Sequence, residues 1–218
     1  GKKKSADFPV SFRIPLWAEG ATVTVNGVKE DGVANGTMFT INRTWSDGDA
    51  VELTFPMKVK VGRWFENAAA VERGPLVYVL KIDGKWTKVA LDPDEGKGPS
   101  YWSVEAASPW NYGLLKKSVD SPETEFQVAA DSSKLTGGWY WNEDAAPVTI
   151  SVQAVRVPGW TMYNGDTGTI PYSQIPSAKF NVSNRTSSYV SDGNYDTVTL
   201  IPYGCSTLRI TEFPIISK

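Results

Sequence analysis

A chain of 218 residues has room for one large or two ordinary β domains. Its formal net charge is −2, with 22 basic residues scattered among 24 acidic ones, so it lacks the clustered basic face that nucleic acid demands. No apolar run approaches the roughly 18 residues that span a bilayer as a helix, and membrane drops out with nucleic acid as an expected partner.

Histidine is absent and Cys205 is the only cysteine. Internal disulfides, metal sites built from several thiolates and every Ser-His or Cys-His arrangement are thereby removed. Val, Thr, Trp and Tyr are abundant, Gly and Pro number 19 and 14, and no segment sustains an apolar helical repeat over three turns. The composition therefore predicts an all-β class.

In chain order, Lys2-Lys3-Lys4 reads as solvated linker, and Gly1 before it reads as an added residue, with the natural start upstream. Phe12, Ile14 and Leu16 alternate with Arg13 and Pro15, then Val23 and Val25 with threonines, then Val51, Leu53 and Phe55 with Glu52 and Thr54. That is the period of half-buried strands. Asn26-Gly27 and Asp47-Gly48-Asp49 supply the reversals.

Val77 to Leu80 is apolar on both faces and predicts a central strand, with Gly74-Pro75 giving a sharp turn before it and Glu72-Arg73 a surface charge pair. Residues 92–109 are loop-rich and mark a boundary. Ala106 to Ser118 is a poor helical candidate, interrupted by Pro109 and Gly113. Strand patterns resume at Phe126, Val148 to Val157, Val198 to Leu200 and Leu208 to Ile210.

Among chemical constellations, Asp92, Asp94, Glu95, Glu143 and Asp144 all fall in turn-like sequence, where nothing raises one carboxyl into an acid for glycosidic work. Asp192-x-Asn194-x-Asp196 spaces oxygen ligands like a calcium loop, but Thr197 and Tyr203 stand where such a loop needs glycine and a bidentate carboxylate; a hairpin turn is the plainer reading. Cys205 reads as a small buried hydrophobe.

The nine Trp, nine Tyr and eight Phe are more suggestive. Trp102, Trp110, Tyr112, Trp139 and Trp141 are candidate carbohydrate contacts, since sugar C–H faces stack on flat indoles beside amide and carboxylate groups such as Asn142 and Glu143. The competing reading is core or interface packing, which also suits Trp17, Trp45 and Trp160.

Five stretches, FRIPLWAEGATVTVNG, the R-x-W-x-x-G-D of Arg43 to Asp49, AVERGPLVYVL, SPWNYGL and LIPYGCSTLRITEFP, together resemble the C-terminal region of the family-127-like glycoside hydrolases, the β-L-arabinofuranosidase type. The resemblance runs from about Phe8 to Pro214. It implies an upstream (α/α)6 barrel of the same polypeptide that carries a zinc-bound cysteine thiolate and catalytic glutamates, and a periplasmic or extracellular location. It transfers no catalytic residue, metal ligand or cofactor to the residues present here.

It also implies two β-sandwiches, jelly-roll-like, the second inserted in the first: residues 8–83 plus 197–218, and residues 84–196. The expected role is a non-catalytic accessory region that supports the barrel, with Phe8, Trp17, Trp64 and Phe65 near the docking face. The rival readings are a carbohydrate-binding module active in isolation and a structural element that forms a weak homodimer.

Overall fold

The computed structural model describes residues 5–90, 99–136, 138, 141–171, 173 and 195–217. Its chain forms two compact units that part between Lys58 and Val59.

In the first unit, β1 (Ser5–Arg13), β2 (Thr22–Val25), β3 (Val28–Lys29), β4 (Met38–Ser46) and β5 (Val51–Thr54) make two antiparallel sheets, β1–β4 and β3–β2–β5. Alternation sends Val23, Val25, Val51 and Leu53 of one sheet, and Phe12, Phe39, Ile41 and Trp45 of the other, into a common core with Ile14, Ala18 and Ala21. Each large aliphatic side chain fully buried in this way contributes about 1.5–3 kcal/mol.

Two of the quoted motifs meet at one network. Asn26 and Gly27 hold φ of 52° and 80°, the left-handed pair that a two-residue hairpin needs between Val25 and Val28. Asn26 Nδ2 donates to Asp49 Oδ1 at 2.9 Å, and the Ala50 amide returns a bond to Asn26 Oδ1 at 2.9 Å. Asp49 also accepts from the Ser46 amide at 2.8 Å. It faces Arg43 at 3.6 Å, whose guanidinium lies over the Trp45 ring. One carboxylate thus fixes the crossover from β4 to β5.

The expected alternation through Leu16 stops short. The strand ends at Arg13 because Pro15 has no amide to offer a ladder, and Leu16 is exposed while Ile14 turns into the core.

The second unit contains β6 (Val59–Arg63), β7 (Ala69–Arg73), β8 (Leu76–Leu80), β9 (Gly84–Val89), β10 (Tyr101–Ala106) and β11 (Tyr112–Leu115). Two single-turn helices follow, α1 (Lys116–Asp120) and α2 (Pro122–Glu125). Then come β12 (Gln127–Ala130), β13 (Val148–Arg156), β14 (Met162–Tyr163), β15 (Asp166–Thr167), β16 (Tyr195–Pro202), β17 (Glu212–Phe213) and β18 (Ile215–Ile216). The all-β expectation is borne out.

Among the described residues the main sheet runs β17–β7–β8–β16–β13–β11–β18, with β6 added on β7 and β12 on β13. Its two ends, β17 and β18, are separated only by Pro214, so one terminal segment pairs antiparallel with β7 and parallel with β11 and closes the sheet on itself. The core holds Val71, Tyr78, Leu80, Leu114, Phe126, Ile150, Val152, Val198, Leu200 and Phe213.

From Tyr78 onward β8 is buried on both faces, as its sequence predicts, while Val77 is exposed: Tyr78 and Leu80 enter this core, and Val79 joins Ala146, Ile201 and Cys205 on the other side. The Gly74 φ of 59° makes the tight turn between Arg73 and Leu76. Glu72 and Arg73 are not a charge pair in this strand, because consecutive residues point to opposite faces.

The closing strands do join the sheet formed before residue 84, since Leu200 and Ile201 of β16 stand against Leu80 and Val79. β13 lies in the same sheet as β8, bridged by β16, with Ile150, Val152 and Ala154 facing the core and Thr149, Ser151 and Gln153 on its other face. Ala106 to Ser118 is likewise no helix: it carries β11, and helix begins only at Lys116.

Gly113 makes the closure sterically feasible. A Cβ there would stand 2.7 Å from Ile216 Cγ1 and 2.9 Å from the Pro214 carbonyl oxygen, and backbone cannot swing aside as a flexible side-chain tip can. Gly113→Ala is therefore expected to destabilise the chain by about 1–3 kcal/mol, the range for overpacking a close contact. Gly138→Ala, which adds its methyl in open space, is expected to be nearly neutral. Urea midpoints of the two variants against the parent check both.

Candidate functional site

The SPWNYGL stretch is built into the frame. Ser108 Oγ accepts from the Asp83 amide at 2.9 Å. Asn111 donates to the carbonyls of Val157 and Trp160, each at 3.0 Å, and accepts from Arg156 Nε at 3.1 Å. Trp110 meets Trp160 edge to face at 5.2 Å.

Tyr112, 7% exposed, donates its hydroxyl to Asp196 at 2.9 Å and lies under the Arg156 guanidinium; burial pushes its phenol up, and the Asp196 bond adds to that. Of the carbohydrate candidates, Tyr112 is thus occupied by packing and Trp110 keeps a partly open indole. Trp102 is 61% exposed. Trp141 is exposed too, with its ring laid over Gly204, where a Cβ would come within 2.9 Å of Cε3. Trp139 lies outside the described residues.

The carboxylates are accounted for in structural terms. Glu143 accepts from the Thr207 amide at 3.1 Å. Asp144 pairs with Lys81 at 2.8 Å, a bond that holds its carboxyl below the ordinary value. Asp92, Asp94, Glu95, Asp192 and Asn194 lie outside the described residues.

Cys205 sits among Val79, Ala146 and Ile201, and burial pushes its thiol up, away from the thiolate that a zinc ligand must be. Among the described residues no group of three or more His, Cys, Asp or Glu could hold a metal ion. The zinc implied for the barrel therefore has no matching donor set in these residues.

Two surface features of the second unit are left for function. The first is a mostly apolar hollow of about 510 Å³ lined by Trp64, Pro75, Leu76, Val77, Tyr203 and Glu212, among others. Trp64 and the following Phe65 are 60% and 63% exposed. They stand on a turn in which Glu66 and Asn67 have φ of 51° and 58°, a region that β-carbon-bearing residues adopt at a cost. Buried Ser173 holds this turn, giving its amide to the Glu66 carbonyl at 3.0 Å, taking the Asn67 side-chain amide at its own carbonyl at 3.2 Å, and accepting the Ile215 amide at Oγ at 2.9 Å.

Of the expected docking residues, Phe8, Trp64 and Phe65 are exposed. Trp17 is not available, because it packs edge to face on Phe55 at 5.9 Å in the first core.

The second feature is a hollow of about 560 Å³ with a mixed polar and apolar lining that includes Trp110, Asp166 and Arg209. Sequence reasoning missed Trp86, which is 52% exposed. Its signal lay in the alternation of Lys85 to Val89, which fixes the face it shares once the pairing partner is known. It also missed Asp166, delivered by the Asn164-Gly165 turn whose φ values of 51° and 85° repeat the Asn26-Gly27 geometry.

Glu212 in the first hollow has its carboxyl raised by burial. Its protonated form is favoured in the folded chain, so its destabilising effect is absent below the ordinary glutamate value of 4.5 and develops as pH rises through the raised folded value. Glu212→Gln is expected to match the parent near pH 4 and to exceed it in urea midpoint at pH 8; parallel melts at the two pH values measure the widening gap.

Residues 1–57 match the family model of the β-L-arabinofuranosidase GH127 middle domain, and this span coincides with the first compact unit. A comparison with curated proteins finds no match. Among solved structures, a GH127 β-L-arabinofuranosidase from Geobacillus stearothermophilus T6 is similar over 98% of this chain, at 22% identity and a TM-score of 0.54. A second GH127 β-arabinofuranosidase is similar over 98%, at 20% identity and a TM-score of 0.54. This chain covers 27% of the first structure and 28% of the second. The resemblance read from the five motifs is borne out: the chain carries a GH127 middle-domain match over its first unit and has, over nearly all its length, the fold of a segment of GH127 arabinofuranosidases.

Proposed function

We propose that this chain is a non-catalytic accessory β region of a glycoside hydrolase, which packs on and supports an upstream (α/α)6 catalytic barrel in a periplasmic or extracellular enzyme. The observation that carries the reading is the Trp64–Phe65 turn. Two large rings are held in water beside an apolar hollow by a costly backbone conformation that buried Ser173 enforces. Strained backbone of this kind persists where the surroundings over-determine it, and interdomain contacts within a chain bury on the order of 600–1,500 Å². The fate of the candidate chemistry points the same way. Glu143, Asp144 and Asp196 are each engaged in framework bonds, and Cys205 is sealed in an apolar cluster. Arabinofuranoside hydrolysis, and any zinc it uses, belong on this reading to the barrel.

The purified chain is expected to give no turnover of aryl arabinofuranosides with or without added zinc. Hydroxyl-radical footprinting is expected to label Trp64 and Phe65 in this chain alone and to find both protected in the longer polypeptide that includes the barrel. Turnover that a Cys205→Ala variant abolishes, or equal labelling of the two residues in both contexts, would overturn the proposal. Protection that appears in the isolated chain only as its concentration rises would assign the face to a homodimer instead.

A further inference from the structure

We infer that the cleft between the β9–β10 and β14–β15 hairpins binds a carbohydrate chain, with one sugar unit in the hollow and its neighbours stacked along Trp86 and Trp102. The register sets the platform. Val104 stands opposite Trp86 and Lys88 opposite Trp102, so Trp86, Lys88, Trp102 and Val104 share one face of the hairpin, and Trp86 and Trp102 occupy diagonal positions on it, a spacing of about 7–8 Å between backbones. Both are more than half exposed.

Gly84 extends this face toward the hollow. The Trp86 indole lies back over it, with Nε1 3.2 Å from where a Cβ would be, and Ala106, paired with Gly84, lines the hollow together with Val104.

The hollow supplies the polar half of the recognition. Asp166 brings a carboxylate, Thr207 a hydroxyl, Arg209 a cationic side chain and Trp110 an indole wall. A sugar presents an apolar C–H face and a ring of hydroxyls that both donate and accept, and this mixture answers both. Charges of both signs within one hollow argue against a polyanion and a polycation alike. Key groups are already fixed: Arg209 donates to the Ser206 carbonyl at 3.0 Å and to the Tyr203 hydroxyl at 3.3 Å, Trp110 is braced by Trp160, and Asp166 follows a two-residue turn. Such pre-organisation lowers the ordering cost of binding. The inference is independent of barrel docking, which reads out on Trp64 and Phe65.

The test is a printed glycan array probed with the whole chain, followed by tryptophan-fluorescence titration of the best-binding glycan. Trp86→Ala, Trp102→Ala and Asp166→Asn are each expected to weaken binding by about tenfold or more, as loss of an anchoring group does, and Trp64→Ala to leave it unchanged. All four positions are exposed, and urea midpoints verify folding. Absence of binding to every glycan, or cleft variants that bind like the parent, would overturn the inference. So would capture of a protein partner by the Trp86–Trp102 face with no glycan binding.

Discussion

A β-sheet in water has two edges, and each edge strand exposes a row of unpaired amides and carbonyls that invites association. The second unit meets this constraint in part with five residues that link β7 to β11, β6 and β12 standing as added outer strands. Glu212 and Phe213 pair with Ala70 and Ala69 on one edge, and Ile215 and Ile216 pair with Leu114 and Leu115 on the other, with Phe213 and Ile215 buried. Much else is arranged around this closure. Gly113 is bare so that Pro214 and Ile216 can approach. Ser173 accepts the Ile215 amide and in the same place holds the Trp64–Phe65 turn. Closure and the exposed aromatic turn are therefore products of one hydrogen-bonded junction.

The same view explains how motifs that point to an enzyme family can serve the framework. Each quoted stretch contains a residue whose identity is dictated by framework geometry: Asn26 and Asp49 by the crossed turns, Gly74 by positive φ, Asn111 by its three bonds to the segment after β13 and to Arg156, and Gly204 by the ring of Trp141. Asn111 tolerates substitution poorly because a part-buried polar atom without its partner costs about 1–3 kcal/mol, and the two glycines because a Cβ would meet a positive φ or the Trp141 ring. A short motif that is rigidly specified is as consistent with a scaffold as with an active site, and the partners of its polar atoms decide between them.

Local geometry was legible in the sequence, while long-range pairing was not. Asn26-Gly27, Gly74-Pro75 and the doubly apolar Val77 to Leu80 run each declare themselves within a few residues, because turn chemistry and two-faced burial are local properties. The partners of β13 are set by contacts some fifty residues away on β16 and then β8, and no periodicity encodes which apolar run will lie beside which. Aromatic clusters suffer from the same limit. Trp110 and Tyr112 are adjacent to the eye, yet Tyr112 lies in β11, buried with its Asp196 bond, while Trp110 stands before the strand and stays partly open.

The distribution of the remaining exposed aromatics separates two kinds of surface. Around Trp64 the neighbours are Pro75, Leu76 and Val77, an apolar setting in which a carboxyl such as that of Glu212 is pushed toward its neutral form. A partner that fits there must bring apolar surface and can leave that carboxyl protonated. Around Trp110 the neighbours are Asp166, Thr207 and Arg209, groups that lose more by desolvation than an apolar partner could return. A ligand for that hollow must replace the water bound to the polar groups with hydroxyls of its own while covering the indole. A single macromolecular face that satisfied both hollows would need opposite chemistry at its two ends, so the physical expectation is two separate occupants, each selected by what its hollow would otherwise leave unsatisfied.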